Sequence, residues 1–88
     1  MNRDLLFGAN IDPSTDELQE SFRRAATAEA NGLDLLTVQD HPYQKRFLDT
    51  WTLITYLAAR TTRIHIGTNV ANLPLRPPAV LAKAAATL

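Results

Sequence analysis

Residues 33–47 read LDLLTVQDHPYQKRF, an apolar run that stops at a carboxamide, a carboxylate, an imidazole and a phenol in quick succession. Leu33 to Gln39 has the composition of a buried strand. Its polar tip is either a turn or the rim of a site. The elements on both sides show which fold would carry such a rim.

Upstream, Leu5 to Ile11 (LLFGANI) reads as another buried strand, bounded by Asp12 and Pro13. Ser14 with Glu17 three residues later has the form of a capping box, and Asp16 and Glu17 suit the positive end of a helix dipole. Leu18, Phe22, Ala25 and Ala26 recur at helical spacing, predicting a helix over about residues 15–31 that ends at Gly32, where a left-handed residue belongs. Downstream, a loop of about nine residues precedes Asp49 or Thr50 as the cap of a second helix, TWTLITYLAARTT. Its apolar positions are Trp51, Ile54, Leu57 and Ala58, with Arg60 and Arg63 near the negative end of its dipole. RIHIGTNV, Arg63 to Val70, is rich in β-branched residues and predicts a third strand. After ANLPLRP, Pro78 stands at the first position of a last helix, AVLAKAAATL.

The order is β-α-β-α-β-α, with strands starting near residues 5, 33 and 63. Strands alternating with helices at this spacing predict an α/β fold with parallel strands and right-handed crossovers. The last helix has strong helix formers to its final residue, and a three-stranded sheet leaves two open edges. The expectation is a truncated chain holding the first three β/α units of a (β/α)8 TIM barrel, a fold of roughly 250 residues. All of residues 1–88 then form the N-terminal part of one barrel domain.

Composition narrows the function. The chain has 88 residues, 45% of them hydrophobic, zero formal net charge and no cysteine. Zero charge with scattered lysines and arginines gives no basic face for nucleic acid. Without cysteine there is neither a disulfide framework nor a thiolate metal site. No segment reaches the roughly 18 apolar residues of a membrane span, and the N-terminus lacks a signal-peptide core, so a cytoplasmic protein is expected.

In parallel α/β folds ligands bind at the carboxyl ends of the strands. Those ends deliver Gly8 and Asn10 from the first strand, Gln39, Asp40 and His41 from the second, and Gly67, Thr68 and Asn69 from the third, with Asn72 just beyond. His41 reads either as a loop histidine bonded to a backbone carbonyl or as a donor or general acid/base. Asp40 either starts a turn before Pro42, or orients His41 or a polar substrate group. Tyr43 reads as a packing residue with its hydroxyl in water. His65, between Ile64 and Ile66, is expected on the opposite face from both, in a structural role. Gly8 and Gly67 within strand patterns suggest a bulge or the close approach of another group, such as a flat ring. Trp51, Phe22 and Phe47 read as core or interface. No phosphate loop, Ser-His-Asp set or HExxH motif is present.

QDHPY, the opening FGANI, and FLDTWTLITYLAARTTRIHIGTNVANLPLRPPAVLAKAAATL together resemble the N-terminal third of the bacterial luciferase-like monooxygenase family. That resemblance implies a TIM-barrel oxidoreductase that uses reduced FMN and oxygen on a small-molecule substrate, or alternatively a coenzyme F420-dependent dehydrogenase or reductase. It also implies cofactor binding at Gly8 and Asn10 beneath the ring, and at Thr68, Asn69 and Val70 on a strand-three bulge. Some F420-binding members have a non-proline cis peptide there, which makes Asn69–Val70 the candidate bond. Asp40 and His41 match the catalytic pair after strand two, with His41 the proton donor or acceptor. Relatives commonly form homodimers. A different expectation is a non-catalytic truncated chain that self-associates through its open edges and apolar helix faces.

Overall fold

The computed structural model describes residues 5–88. Three parallel strands, β1 (Gly8–Ile11), β2 (Leu35–Val38) and β3 (His65–Thr68), form one sheet in the order β1-β2-β3. Helix α1 (Leu18–Ala30) connects β1 to β2, α2 (Thr50–Ala59) connects β2 to β3, and α3 (Pro78–Thr87) comes after β3. Short 3-10 turns lie at Thr15–Glu17 and Leu73–Leu75. The predicted β-α-β-α-β-α order is therefore present, with shorter strands. Leu5, Leu6 and Phe7 are exposed and precede β1, because the ladder to β2 begins only at Gly8 opposite Leu35.

The alternation along the strands sorts their side chains into two layers. Ile11, Leu36, Val38 and Ile64 are buried and join Ala25 and Ala28 of α1 and Leu53, Ile54 and Leu57 of α2 in a single core. Each fully buried Leu, Ile or Val there contributes about 1.5–3 kcal/mol. Both crossover helices thus cover one face of the sheet. A sequential strand order produces this when each crossover turns the same way.

Several local expectations change. Ser14 does hold a helix start, its Oγ accepting from Asp16 N at 3.2 Å, but it caps the 3-10 turn. Asp12 Oδ1, rather than the Glu17 side chain, takes the Ser14 N–H at 2.8 Å, so the reciprocal half of the capping box is replaced. On α1 the inward stripe is Ser21, Ala25 and Ala28, with Leu18 and Phe22 packed at its margin, while Ala26 faces solvent. Ser21 is tolerated inside because its hydroxyl donates to Asp12 O at 2.7 Å. On α2 the buried positions include Leu53 as well as Ile54 and Leu57, and Trp51 and Ala58 are half-buried.

Arg63 does not serve the end of α2. Its guanidinium donates to Glu29 O and Leu33 O, tying the end of α1 to the start of β3. Glu29 completes that tie by accepting the N–H groups of Thr62, Arg63 and Ile64. Those backbone bonds, from Arg63 first, hold its carboxyl below the ordinary carboxylate value. Gly32 has φ +80°, which matches its predicted place after α1. Asp49 is the cap of α2, its Oδ2 accepting from Thr52 N at 3.0 Å. No helix among the described residues is long and apolar enough to cross a membrane.

Candidate functional site

The face of the sheet away from the helices is bare, and it carries two rows of residues. Nearest the amino ends lie Gly8, Leu35 and His65; the next row is Asn10, Thr37 and Gly67. His65 is exposed on this face, opposite in sense to Ile64 and Ile66, as the alternation requires. Thr37 Oγ1 donates to Asn10 Oδ1 at 3.1 Å, which pins the carboxamide and leaves its NH2 donors unused among the described residues. A Cβ placed on Gly67 would meet nothing within 4 Å, so the space above that residue is open.

Two cofactor-binding expectations shift here. Gly8 opens β1 instead of closing it, three positions before the carboxyl end at Ile11. Its missing side chain has a reason within the chain, since a Cβ would lie 2.7 Å from Leu35 O. Thr68 pairs with Val38 and shares its helix-facing side, so Thr68 offers the bare face its backbone only. No bulge interrupts β3, whose residues pair one to one with Leu35–Val38. The chain departs from the ladder after Asn69, whose N–H still bonds Val38 O at 2.9 Å. The next peptide bond, Asn69–Val70, is cis, and Val70 is 74% exposed.

Asp40, at the tip of β2, has a different environment from the one its sequence neighbours suggest. Its carboxylate is completely buried and does not touch His41; it is held by Arg76 from the far side of β3. Arg76 Nη2 donates to Asp40 Oδ1 at 2.7 Å and Nε donates to Oδ2 at 3.2 Å, a two-point grip. Asn72 N–H adds a bond to Oδ2 at 2.9 Å, and Arg76 Nη2 also reaches Asp49 Oδ1 at 2.9 Å. One guanidinium therefore joins the loop after β2, the cap of α2 and the loop after β3. Burial pushes the Asp40 carboxyl up, but the Arg76 and Asn72 hydrogen bonds and the Arg76 charge outweigh it and hold the group below its ordinary value. Arg76 is correspondingly raised, chiefly by Asp40.

His41 is half-buried next to this clamp. Its ring lies 5.4 Å from that of Tyr43 and 6.3 Å from that of Phe47. The Tyr43 hydroxyl is 2.7 Å from His41 Nδ1, so Tyr43 is bonded to the imidazole and not merely to water. The loop is itself fastened, with Gln44 N bonding His41 O at 2.9 Å and Leu48 N bonding Pro13 O at 2.9 Å. Phe22 stacks on Tyr56 at 4.9 Å on the helix side. Trp51 borders a crevice between α2, β3 and the end of α3, and its indole N–H has no acceptor among the described residues. No group of three or more metal-ligating side chains forms among the described residues.

In chain order His41 follows the end of β2 and Asn69–Val70 the end of β3, at the carboxyl end of a sheet whose open face carries Asn10, Thr37 and Gly67. A family model described as luciferase-like monooxygenase matches residues 5–88, every residue of this architecture. The chain belongs to the luciferase-like monooxygenase family. No curated protein and no solved structure matches it. Membership in a monooxygenase family points to oxidoreductase chemistry. Among the residues now seen at the site, Arg76, Thr37 and Tyr43 carried no local signal of their partners. Arg76 lies 36 positions from Asp40, and only the fold brings the two together.

Proposed function

We propose that this chain supplies one wall of a flavin site in a luciferase-like oxidoreductase that acts on a small organic substrate, with FMN as the cofactor. The observation that carries the proposal is the row Asn10, Thr37 and Gly67 across the sheet, open above Gly67, with His41 and Asn69–Val70 following the ends of β2 and β3 in the chain. A planar ring needs a flat surface free of side chains, and the empty space at Gly67 supplies one. Asn10, fixed by Thr37, offers N–H donors of the kind that ring carbonyls accept. Val70 gives apolar contact at the edge, and the backbone of Thr68 and Asn69 forms the rim. Bound there, FMN in its reduced form would supply the redox chemistry with oxygen. The chain's own task is to orient the ring, exclude water from it and hold a protonatable imidazole beside it.

The architecture supports a larger setting for this wall. Parallel strands in sequential order with helices on one face only are what a (β/α)8 barrel requires, and the bare polar face then becomes the barrel interior. A doubly wound sheet would carry helices on both faces. The position of His41 favours a second reading, a coenzyme F420-dependent dehydrogenase or reductase, in which the imidazole exchanges a proton with the substrate. Titration of the purified chain with FMN and, separately, with F420, monitored by absorption and fluorescence, tests both. A saturable complex with one of them supports the corresponding reading. Binding of neither refutes a flavin site built on this chain.

A further inference from the structure

His41 and Tyr43 are two residues apart on a loop whose backbone is fastened at both ends, and their polar atoms meet at 2.7 Å. A neutral imidazole has one donor nitrogen and one acceptor nitrogen, and its partner decides which is which. A phenol is the better acid of the two groups, and an imidazole nitrogen is the better acceptor. The strong arrangement therefore has the Tyr43 O–H donating to Nδ1. The aromatic rings of Tyr43 and Phe47 flank the imidazole at 5.4 and 6.3 Å between centroids. No other partner of the imidazole nitrogens exists among the described residues.

We infer that Tyr43 is a positioning residue for His41: its hydroxyl keeps the proton of the neutral imidazole on Nε2 and makes His41 a donor at its outer nitrogen. The consequence for the proposed reaction, which rests on the flavin reading, is a direction. His41 gives a proton to the substrate and does not take one from it. As the Nε2–H bond breaks and the proton passes to a developing anion, Nδ1 takes the phenolic proton. Tyr43, 65% exposed, recovers that proton from water. The imidazole ends neutral, and the net transfer is one proton from solvent to substrate.

The test is a two-bond 1H–15N correlation spectrum of the full chain labelled at histidine, at about pH 8, where an ordinary imidazole is neutral. The chain has two histidines, so a His65→Gln variant identifies the His41 signals. The expected spectrum is that of the Nε2-protonated tautomer. Tyr43→Phe should lower the ratio of the Nε2–H to the Nδ1–H form about fivefold, the value of one ordinary hydrogen bond, with the backbone amide spectrum otherwise unchanged. A dominant Nδ1–H form in the wild-type chain, or an unaltered ratio in Tyr43→Phe, overturns the inference. No cofactor enters this measurement. Failure to bind FMN or F420 would therefore remove the flavin reading while the tautomer is still read independently.

Discussion

Replacing Arg76 with methionine keeps the length of the side chain and removes its charge and its donors. Asp40 then loses both guanidinium bonds, at 2.7 and 3.2 Å, and retains only the Asn72 N–H. Its side chain is 0% exposed, so water cannot replace what is lost without opening the loop. Two hydrogen bonds to a charged group at about 1.5–3 kcal/mol each give a loss of ~3–6 kcal/mol. The general cost of breaking a buried pair, ~3–5 kcal/mol, agrees. We expect a loss of about 4 kcal/mol, within both ranges. A domain of this size is stable by only ~4–13 kcal/mol at roughly 0.05–0.15 kcal/mol per residue, so the loss removes about a third of it or more.

Asp40→Leu alone should cost less, about 2 kcal/mol, because Arg76 is 19% exposed and keeps Asp49. The double variant leaves neither charge buried and orphans only the Asn72 N–H, so it should lie within about 1–2 kcal/mol of the parent. Urea unfolding monitored by circular dichroism measures all four proteins. The pH dependence supplies a second check. The folded Asp40 carboxyl lies below its ordinary value of 3.8, so its contribution is complete above that value and is lost as pH falls through the lowered one. The difference between Arg76→Met and the parent should therefore shrink in acid. A cost below about 1 kcal/mol for Arg76→Met, or a double variant as unstable as the sum of the singles, would refute the clamp.

Two other substitutions probe how the sheet is built. Gly8→Ala puts a methyl group 2.7 Å from the backbone oxygen of Leu35, so β1 and β2 must separate. A loss of about 1–3 kcal/mol is expected, read as a fall in Tm of ~4–8 °C per kcal/mol; an unchanged Tm would show that the strands yield freely. Glu29→Gln exchanges a carboxylate that accepts three consecutive N–H groups for a carboxamide with one acceptor oxygen. Amide exchange at Thr62, Arg63 and Ile64 should accelerate while the core amides keep their protection, and equal rates in the two proteins would argue against the tie.

The parts of the fold that the sequence exposes are those with a local cause. Apolar runs mark the first two strands and β-branched residues the third, Asp49 caps the helix that begins beside it, Pro78 opens the last helix, and Gly32 takes the positive φ its position requires. Strand lengths are not legible, because pairing depends on a neighbour: Phe7 meets only Asp34, partly through its side chain, and the ladder proper starts at Gly8. Sequence alone sets Arg63 at the end of a helix dipole and leaves Arg76 one scattered basic residue among others. Their real partners, Glu29 O and Asp40, are more than thirty positions away, and such pairs leave no periodicity. Asp40 and His41 illustrate the limit most clearly. Adjacent in sequence, they face different environments: one carboxylate is sealed under an arginine, and one imidazole stays at the rim with a tyrosine whose hydroxyl was expected to face water.

Flavin binding to Gly67→Val alongside the wild-type chain, read by quenching of FMN fluorescence, puts the proposed site most directly at risk. Valine suits a strand, and its Cβ would meet nothing within 4 Å, so the variant should fold and melt like the parent. Its side chain would stand in the strip proposed for the ring. The expected result is a saturable FMN complex with the wild-type chain and an affinity at least about tenfold weaker for Gly67→Val, a difference of ~1.4 kcal/mol. Equal affinity in the two proteins would contradict the proposed site, because the cofactor would then lie somewhere other than the bare face of the sheet.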